Sequence, residues 1–172
     1  PRYNFGINLN ANWKGIDLSM FWQGTAKRDY WLSGPYFWGV QGGQWQSAGF
    51  VEHWDFWRAE NDPLGANTDA YFPRALFGGS DKNQQVSTGY LQDASYIRLK
   101  NIQLGYTLPA NLVKKAGMQS VRVYVSADNL LTISDITGMF DPEALYDGSG
   151  YGGNGKMYPL QKTISVGLNV NF

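Results

Sequence analysis

The chain has 172 residues, 43% of them hydrophobic, which is room for one ordinary domain with a core. Charged residues make up only 16%, while aromatics reach 16% and glycine 21 residues; soluble domains carry about 25% charge. Fourteen basic side chains balance fourteen acidic ones, which excludes the electrostatic footprint of a nucleic-acid binder, and the absence of cysteine excludes disulfides, thiolate metal sites and cysteine nucleophiles.

No apolar run approaches the roughly 18 residues of a membrane helix, so only strands of a barrel can span a bilayer here. Residues 3–11 alternate, with Tyr3, Phe5, Ile7, Leu9 and Ala11 on one face and Asn4, Gly6, Asn8 and Asn10 on the other. A short turn through Asn12 to Gly15 leads into a second strand, 16–23, with Ile16, Leu18, Met20 and Trp22 opposite Asp17, Ser19 and Gln23. Phe21 breaks that polar face.

From about 24 to 95 the alternation vanishes and aromatics crowd in, including Trp31, Trp38, Trp45, Trp54 and Trp57. A connection this long is expected to be an ordered lobe with its own packing and a short helix around Ala48 to Arg58. Alternation returns over 96–108, where Ile102, Leu104, Tyr106 and Leu108 oppose Asn101, Gln103, Gly105 and Thr107. Ile97 and Leu99 are out of phase with Ile102, which predicts a bulge near Lys100 or a strand start projecting beyond the bilayer. Pro109 ends the strand, ANLVKKAG (110–117) suits one or two helical turns stopped by Gly117, and the strand 121–131 places Val121, Val123, Val125 and Ala127 on one face.

A second connection, about 132–160, feeds the terminal strand 161–172, whose Ile164, Val166, Leu168, Val170 and Phe172 oppose Ser165, Gly167, Asn169 and Asn171. A half-buried strand of a soluble sheet would show Lys, Glu or Thr on its wet face. Small uncharged polar groups fit lipid outside and a polar lumen inside. The expected fold is therefore all-β: five antiparallel strands of a transmembrane barrel, with short periplasmic turns at 12 and 109–120 and long extracellular loops at 24–95 and 132–160. Five strands cannot close a barrel that needs at least about eight, and PRYNFG carries neither an initiator Met nor a signal peptide, so Pro1 is expected to be internal to a longer protein.

DASYIRLKNIQLGYTLP (93–109), VRVYVSADNLLTIS (121–134), DPE (141–143) and YPLQKTISVGLNVNF at the end resemble the carboxy-terminal strands of SusC/RagA-type TonB-linked outer-membrane transporters. WRAENDPLGANTDAYFPR (57–74) is similar to an extracellular segment of that family, with Phe72 in place of the usual Tyr. The resemblance implies a barrel of about 22 strands in the outer membrane of a Gram-negative bacterium, with a plug domain that this sequence does not contain. It implies import of oligosaccharides or peptides, energy from the TonB complex, a SusD-like lipoprotein lid, and Phe172 as the aromatic signal read by the barrel-assembly machinery. Partners would then be the remaining barrel and plug, the lipoprotein, outer-membrane lipid and the cargo; no cofactor, metal or nucleic acid is called for, and no enzyme activity.

The flat rings of Trp38, Trp45 and Trp57 are the candidate substrate contacts, because such rings stack on sugar faces; self-packing or docking of the lid explains them equally. His53, the single histidine, reads as a structural loop residue, since no GxSxG elbow accompanies it. Asp55, Glu60, Asp62 and Asp69 sit among tryptophans as glycosidase carboxylates do, but spacing in an irregular loop says nothing of their separation. Asp141, Glu143 and Asp147 lack EF-hand spacing and read as turn residues beside Pro142. Gly148, Gly150 and Gly153 match GxGxxG formally, without the strand before and helix after that a phosphate loop needs. The alternative to a transporter is a soluble β-sandwich carbohydrate-binding module, in which the same apolar faces meet in a core.

Overall fold

The computed structural model describes residues 1–39, 49–76, 82–145 and 157–172. The chain divides into two compact units, one of residues 1–28, 93–135 and 160–172, the other of residues 29–92 and 136–159.

The first unit is a sheet of five antiparallel strands: β1 (Tyr3–Trp13), β2 (Ile16–Ala26), β5 (Tyr96–Thr107), β6 (Ser120–Ser134) and β7 (Thr163–Asn171), in the spatial order β1-β2-β5-β6-β7. β1 and β2 form a hairpin in which Trp13 faces Ile16. The two-residue turn between them has Lys14 at φ 46° and Gly15 at φ 86°; positive φ at both positions matches the right-handed twist of the flanking strands.

Register sorts the side chains onto two faces. Tyr3, Phe5, Ile7 and Leu9 face Ala26, Gly24, Trp22 and Met20 across the hairpin. Leu18 meets Leu104, which meets Val125, which meets Val166. On the opposite face Ser19 meets Gln103, then Ser126, then Ser165. Much of the apolar face is exposed, with Val166 at 75%, while Leu99, Val121 and Ala127 on it are buried.

Phe21 pairs with Asn101 and Trp22 with Leu99, so Lys100 is an extra residue against β2. Against β6, Leu99 pairs with Leu131 and Asn101 with Asp128, leaving Lys100 opposite Asn129 and Leu130. The bulge restores Ile97 and Leu99 to the face of Ile102, because their partners Gly24, Trp22 and Met20 alternate without interruption. Asn129 absorbs the irregularity at φ 51°, a conformation that asparagine tolerates better than most residues. Its Nδ2 donates to the Gln161 carbonyl at 3.1 Å.

β2 runs three residues beyond the alternation visible in sequence. A Cβ at Gly24 would collide with the Phe5 ring and stand 2.7 Å from the Tyr96 carbonyl oxygen, so only glycine lets the three strands stay paired there. β5 and β6 are joined by α2 (Ala110–Val113) and a 3-10 turn over Lys114–Ala116, ended by Gly117 at φ 73°.

The second unit contains the short pair β3 (Asp29–Trp31) and β4 (Leu91–Asp93), α1 (Pro35–Trp38) and a 3-10 turn over Val51–Trp54. That single turn is what the structure has within the helix expected around 48–58; residue 48 lies outside the described residues. Its core is aromatic. Phe37 is fully buried, with the rings of Trp38 at 4.8 Å, Phe72 at 5.6 Å and Tyr90 at 6.4 Å between centroids. Edge-on pairs of this kind contribute beyond the area that they bury, which lets a segment poor in regular hydrogen bonding hold one shape.

Candidate functional site

The polar face of the sheet carries an ion pair. Asp17 of β2 faces Gly105 of β5, which faces Tyr124 of β6. Arg122 reaches over Gly105 to Asp17: Nε donates to Oδ2 at 2.8 Å and an amino nitrogen donates to Oδ1, with a further bond of 3.0 Å to Gln103 Oε1. A side chain at position 105 would occupy the space of both partners. The Arg122 guanidinium also lies 4.9 Å from the Tyr124 ring centroid, and that ring covers Gly167 of β7. Phe21, the apolar intrusion on this face, lies on Gly6 of β1, 3.1 Å from where a Cβ would be. Aromatic rings laid over strand glycines restore contact that a missing side chain forfeits.

The aromatic lobe holds a cavity of about 270 Å³ whose lining includes Phe50, Trp54, Phe56, Phe72, Arg74 and Gln84. The end of the segment WRAENDPLGANTDAYFPR, Phe72 to Arg74, forms part of its wall. Phe56 bridges to Phe72 and Arg58 to Asn67. Arg58 is buried; its Nε donates to the Gly65 carbonyl at 2.8 Å and an amino nitrogen to the Trp54 carbonyl at 3.0 Å, while the guanidinium stands 4.8 Å from the Phe56 ring. At the loop tip Asp62 Oδ1 accepts the Leu64 N–H at 2.9 Å, an Asx turn through Pro63.

Asp55 clamps the same segment. Its carboxylate accepts the Asn67 side-chain amide at 2.9 Å and the Tyr71 N–H at 3.1 Å. These bonds, the Asn67 amide first, and the nearby Arg58 charge hold its pKa below the usual aspartate value. Burial pushes the Tyr90 phenol up, and Tyr71 adds to the effect.

His53 is buried, and both ring nitrogens are engaged: Nδ1 accepts the Phe50 N–H at 2.9 Å, and Nε2 lies 2.8 Å from the Phe37 carbonyl. Since a carbonyl only accepts, the ring is the neutral tautomer protonated at Nε2. Gly39, at φ 69°, leaves room for the ring, which a Cβ there would meet at 2.8 Å. His53 is thus a staple between α1 and the 3-10 turn.

Of the tryptophans singled out in sequence, Trp38 is 7% exposed, packed against Phe37 and 4.7 Å from the Tyr90 centroid, and its edge reaches the cavity. Trp57 is 36% exposed and lines a neighbouring concavity with Arg74 and Tyr90. Trp45 lies outside the described residues, as do Asp147, Gly148, Gly150 and Gly153. Asp141 makes a turn, its carboxylate accepting the Glu143 N–H at 2.9 Å. Among the described residues no cluster of His, Asp and Glu is arranged to hold a metal. Phe172 is exposed just beyond β7. Sequence reading passed over Arg58, Asn67 and Arg74, whose signal was their place in the family-like segment 57–74.

No family model matches the chain. TonB-dependent receptors P3 and P26 of Formosa agariphila are each 31% identical to it over 179 and 185 residues. Both alignments cover 100% of this chain but 16% and 17% of the receptors. The structure of the RagAB peptide importer in the 'open-open' state superposes with a TM-score of 0.69 at 30% identity, covering 98% of this chain and 17% of that one. The structure of the RagAB peptide transporter gives 0.69 at 29% identity. A two-faced sheet with this likeness defines a class, the wall of a TonB-linked transporter barrel. The chain belongs to the SusC/RagA-type TonB-dependent receptors, and it spans less than a fifth of the length of the relatives that it matches.

Proposed function

We propose that the chain supplies five adjacent wall strands and two extracellular loops of an outer-membrane importer of a Gram-negative bacterium. The observation that carries this reading is the division of the sheet into a continuous apolar face, much of it exposed, and a polar one whose charges are a self-neutralising ion pair and residues near the bulge. β1 has eleven residues; at about 3.4 Å each and a tilt of about 45°, such a strand rises about 25 Å, the height of the apolar band of outer-membrane barrels. Trp13 and Tyr106 at the hairpin end, with Tyr3 and Phe5 at the other, suit the two aromatic girdles of such a band. A sandwich would need a second sheet over the apolar face, and Tyr3, Ile164, Val166 and Leu168 are all exposed.

In this reading the lobe of residues 29–92 and the connection before β7 lie outside the cell and take part in capture of oligosaccharide or peptide. A SusD-like lipoprotein lids the mouth, and a plug elsewhere in the receptor is moved by TonB. The chain positions cargo and performs no covalent chemistry. The RagAB peptide importer, matched over nearly the whole chain, favours peptide as the cargo. The test is Val166→Arg in the full-length receptor, read by membrane fractionation and heat-dependent gel mobility. Loss of the assembled band is expected, and normal assembly of V166R overturns the lipid-facing assignment.

A further inference from the structure

We infer that the cavity in the aromatic lobe is a subsite for the carboxy-terminal residue of a peptide, taking an apolar side chain among the rings with its terminal carboxylate on Arg74. The inference rests on the importer reading and narrows its cargo. At about 270 Å³ the cavity is below the size of a drug-like site and suits one residue rather than an oligomer. Phe50 and Trp54 are exposed at 44% and 60%, so their rings are available to a ligand, whereas Phe72 behind them is buried.

Charge then selects the ligand. Arg74, exposed, is the single charged side chain among the described lining residues, and no carboxylate joins it. The other nearby guanidinium, Arg58, is buried and already bonded to two carbonyls. Among the described lining residues, aromatic rings with a cation and no acid repel ammonium groups and favour an apolar group bearing an anion. Hydroxyl-rich sugar fits poorly. His53 has both nitrogens engaged, which leaves few polar side chains among the described lining residues to replace water around several hydroxyls. An apolar side chain needs no such replacement, and its carboxylate matches the fork of an arginine.

The experiment uses the full-length receptor in detergent with three probes, titrated calorimetrically: the tetrapeptide Ala-Ala-Ala-Leu as free acid, the same peptide as its carboxy-terminal amide, and a neutral tetrasaccharide. The acid is expected to bind at least about tenfold tighter than the amide, Arg74→Gln to abolish that difference, and Trp54→Ala to weaken both peptides alike. Equal binding of acid and amide, a preference that survives R74Q, no binding of either peptide, or tighter binding of the tetrasaccharide each overturns the subsite. Outer-membrane assembly and TonB-dependent uptake of labelled peptide are followed in parallel. A receptor that assembles and imports without the acid preference removes the subsite alone, whereas one that never reaches the membrane removes the importer reading.

Discussion

Arg122 of β6 and Asp17 of β2 form an ion pair across the intervening strand β5, passing over Gly105. The pair ties three strands together on the polar face, and it exists because position 105 has no side chain. Gly105→Val is expected to destabilise the assembled barrel by about 1–3 kcal/mol through overpacking. Combining it with Arg122→Ala should recover part of the loss, because the two changes share one space. Unfolding temperature of the heat-modifiable band measures both; strict additivity would mean that the glycine serves some other purpose.

Lipid-facing and polar-facing neighbours on β7 should differ sharply. Val166→Arg is expected to cost about 2–4 kcal/mol if it lies near the bilayer midplane, while Ser165→Arg, one residue away on the other face, should assemble. Equal yields of the two variants in the outer membrane would contradict the assignment of faces.

His53→Ala leaves the Phe37 carbonyl and the Phe50 N–H without their partners. An unpaired buried polar group costs about 1–3 kcal/mol, and removal of the ring also opens a void beside Phe72. The expected outcome is faster proteolysis within residues 29–92 with unchanged membrane insertion. A variant as protease-resistant as the parent would show that the staple is dispensable.

The 55–72 segment should loosen in acid. Asp55 has a folded pKa below its unfolded value, so its contribution is present above the unfolded value, near pH 4, and is lost as pH falls through the folded one. Protection of the Asn67 side-chain amide and the Tyr71 N–H against hydrogen exchange, relative to the intrinsic rate, is expected to fall below about pH 4. Asp55→Asn should remove most of that pH dependence; a slope unchanged in D55N would assign it elsewhere.

Phe172→Ala tests the proposed assembly signal. Slower appearance of the heat-modifiable form is expected, with the same final stability, because the side chain is exposed beyond β7. Unaltered assembly kinetics would remove the signal role.

Period-two alternation was enough to place the sheet strands and their apolar face, because a pleated strand puts successive side chains on opposite sides whatever its neighbours do. The change of phase between Leu99 and Ile102 left a bulge or a projecting strand start as the two readings, and the register shows the bulge, where one added residue returns both to one face. Strand ends were less legible. Gly24 and Ala26 of β2, and Ser134 of β6, have little propensity to announce a strand, and cross-strand partners hold them in place.

The lobe divides the same way. Sequence by itself determined that residues 24–95 are rich in aromatics and lack strand alternation, and it singled out the family-like segment 57–74. Only the tertiary structure decided which rings are inside and which face a cavity, that Arg58 is occupied while Arg74 is exposed, and that His53 bonds at both nitrogens. The reason is physical: strand alternation is a local rule of the backbone, whereas irregular segments get their shape from contacts between residues distant in sequence, and no local period encodes those.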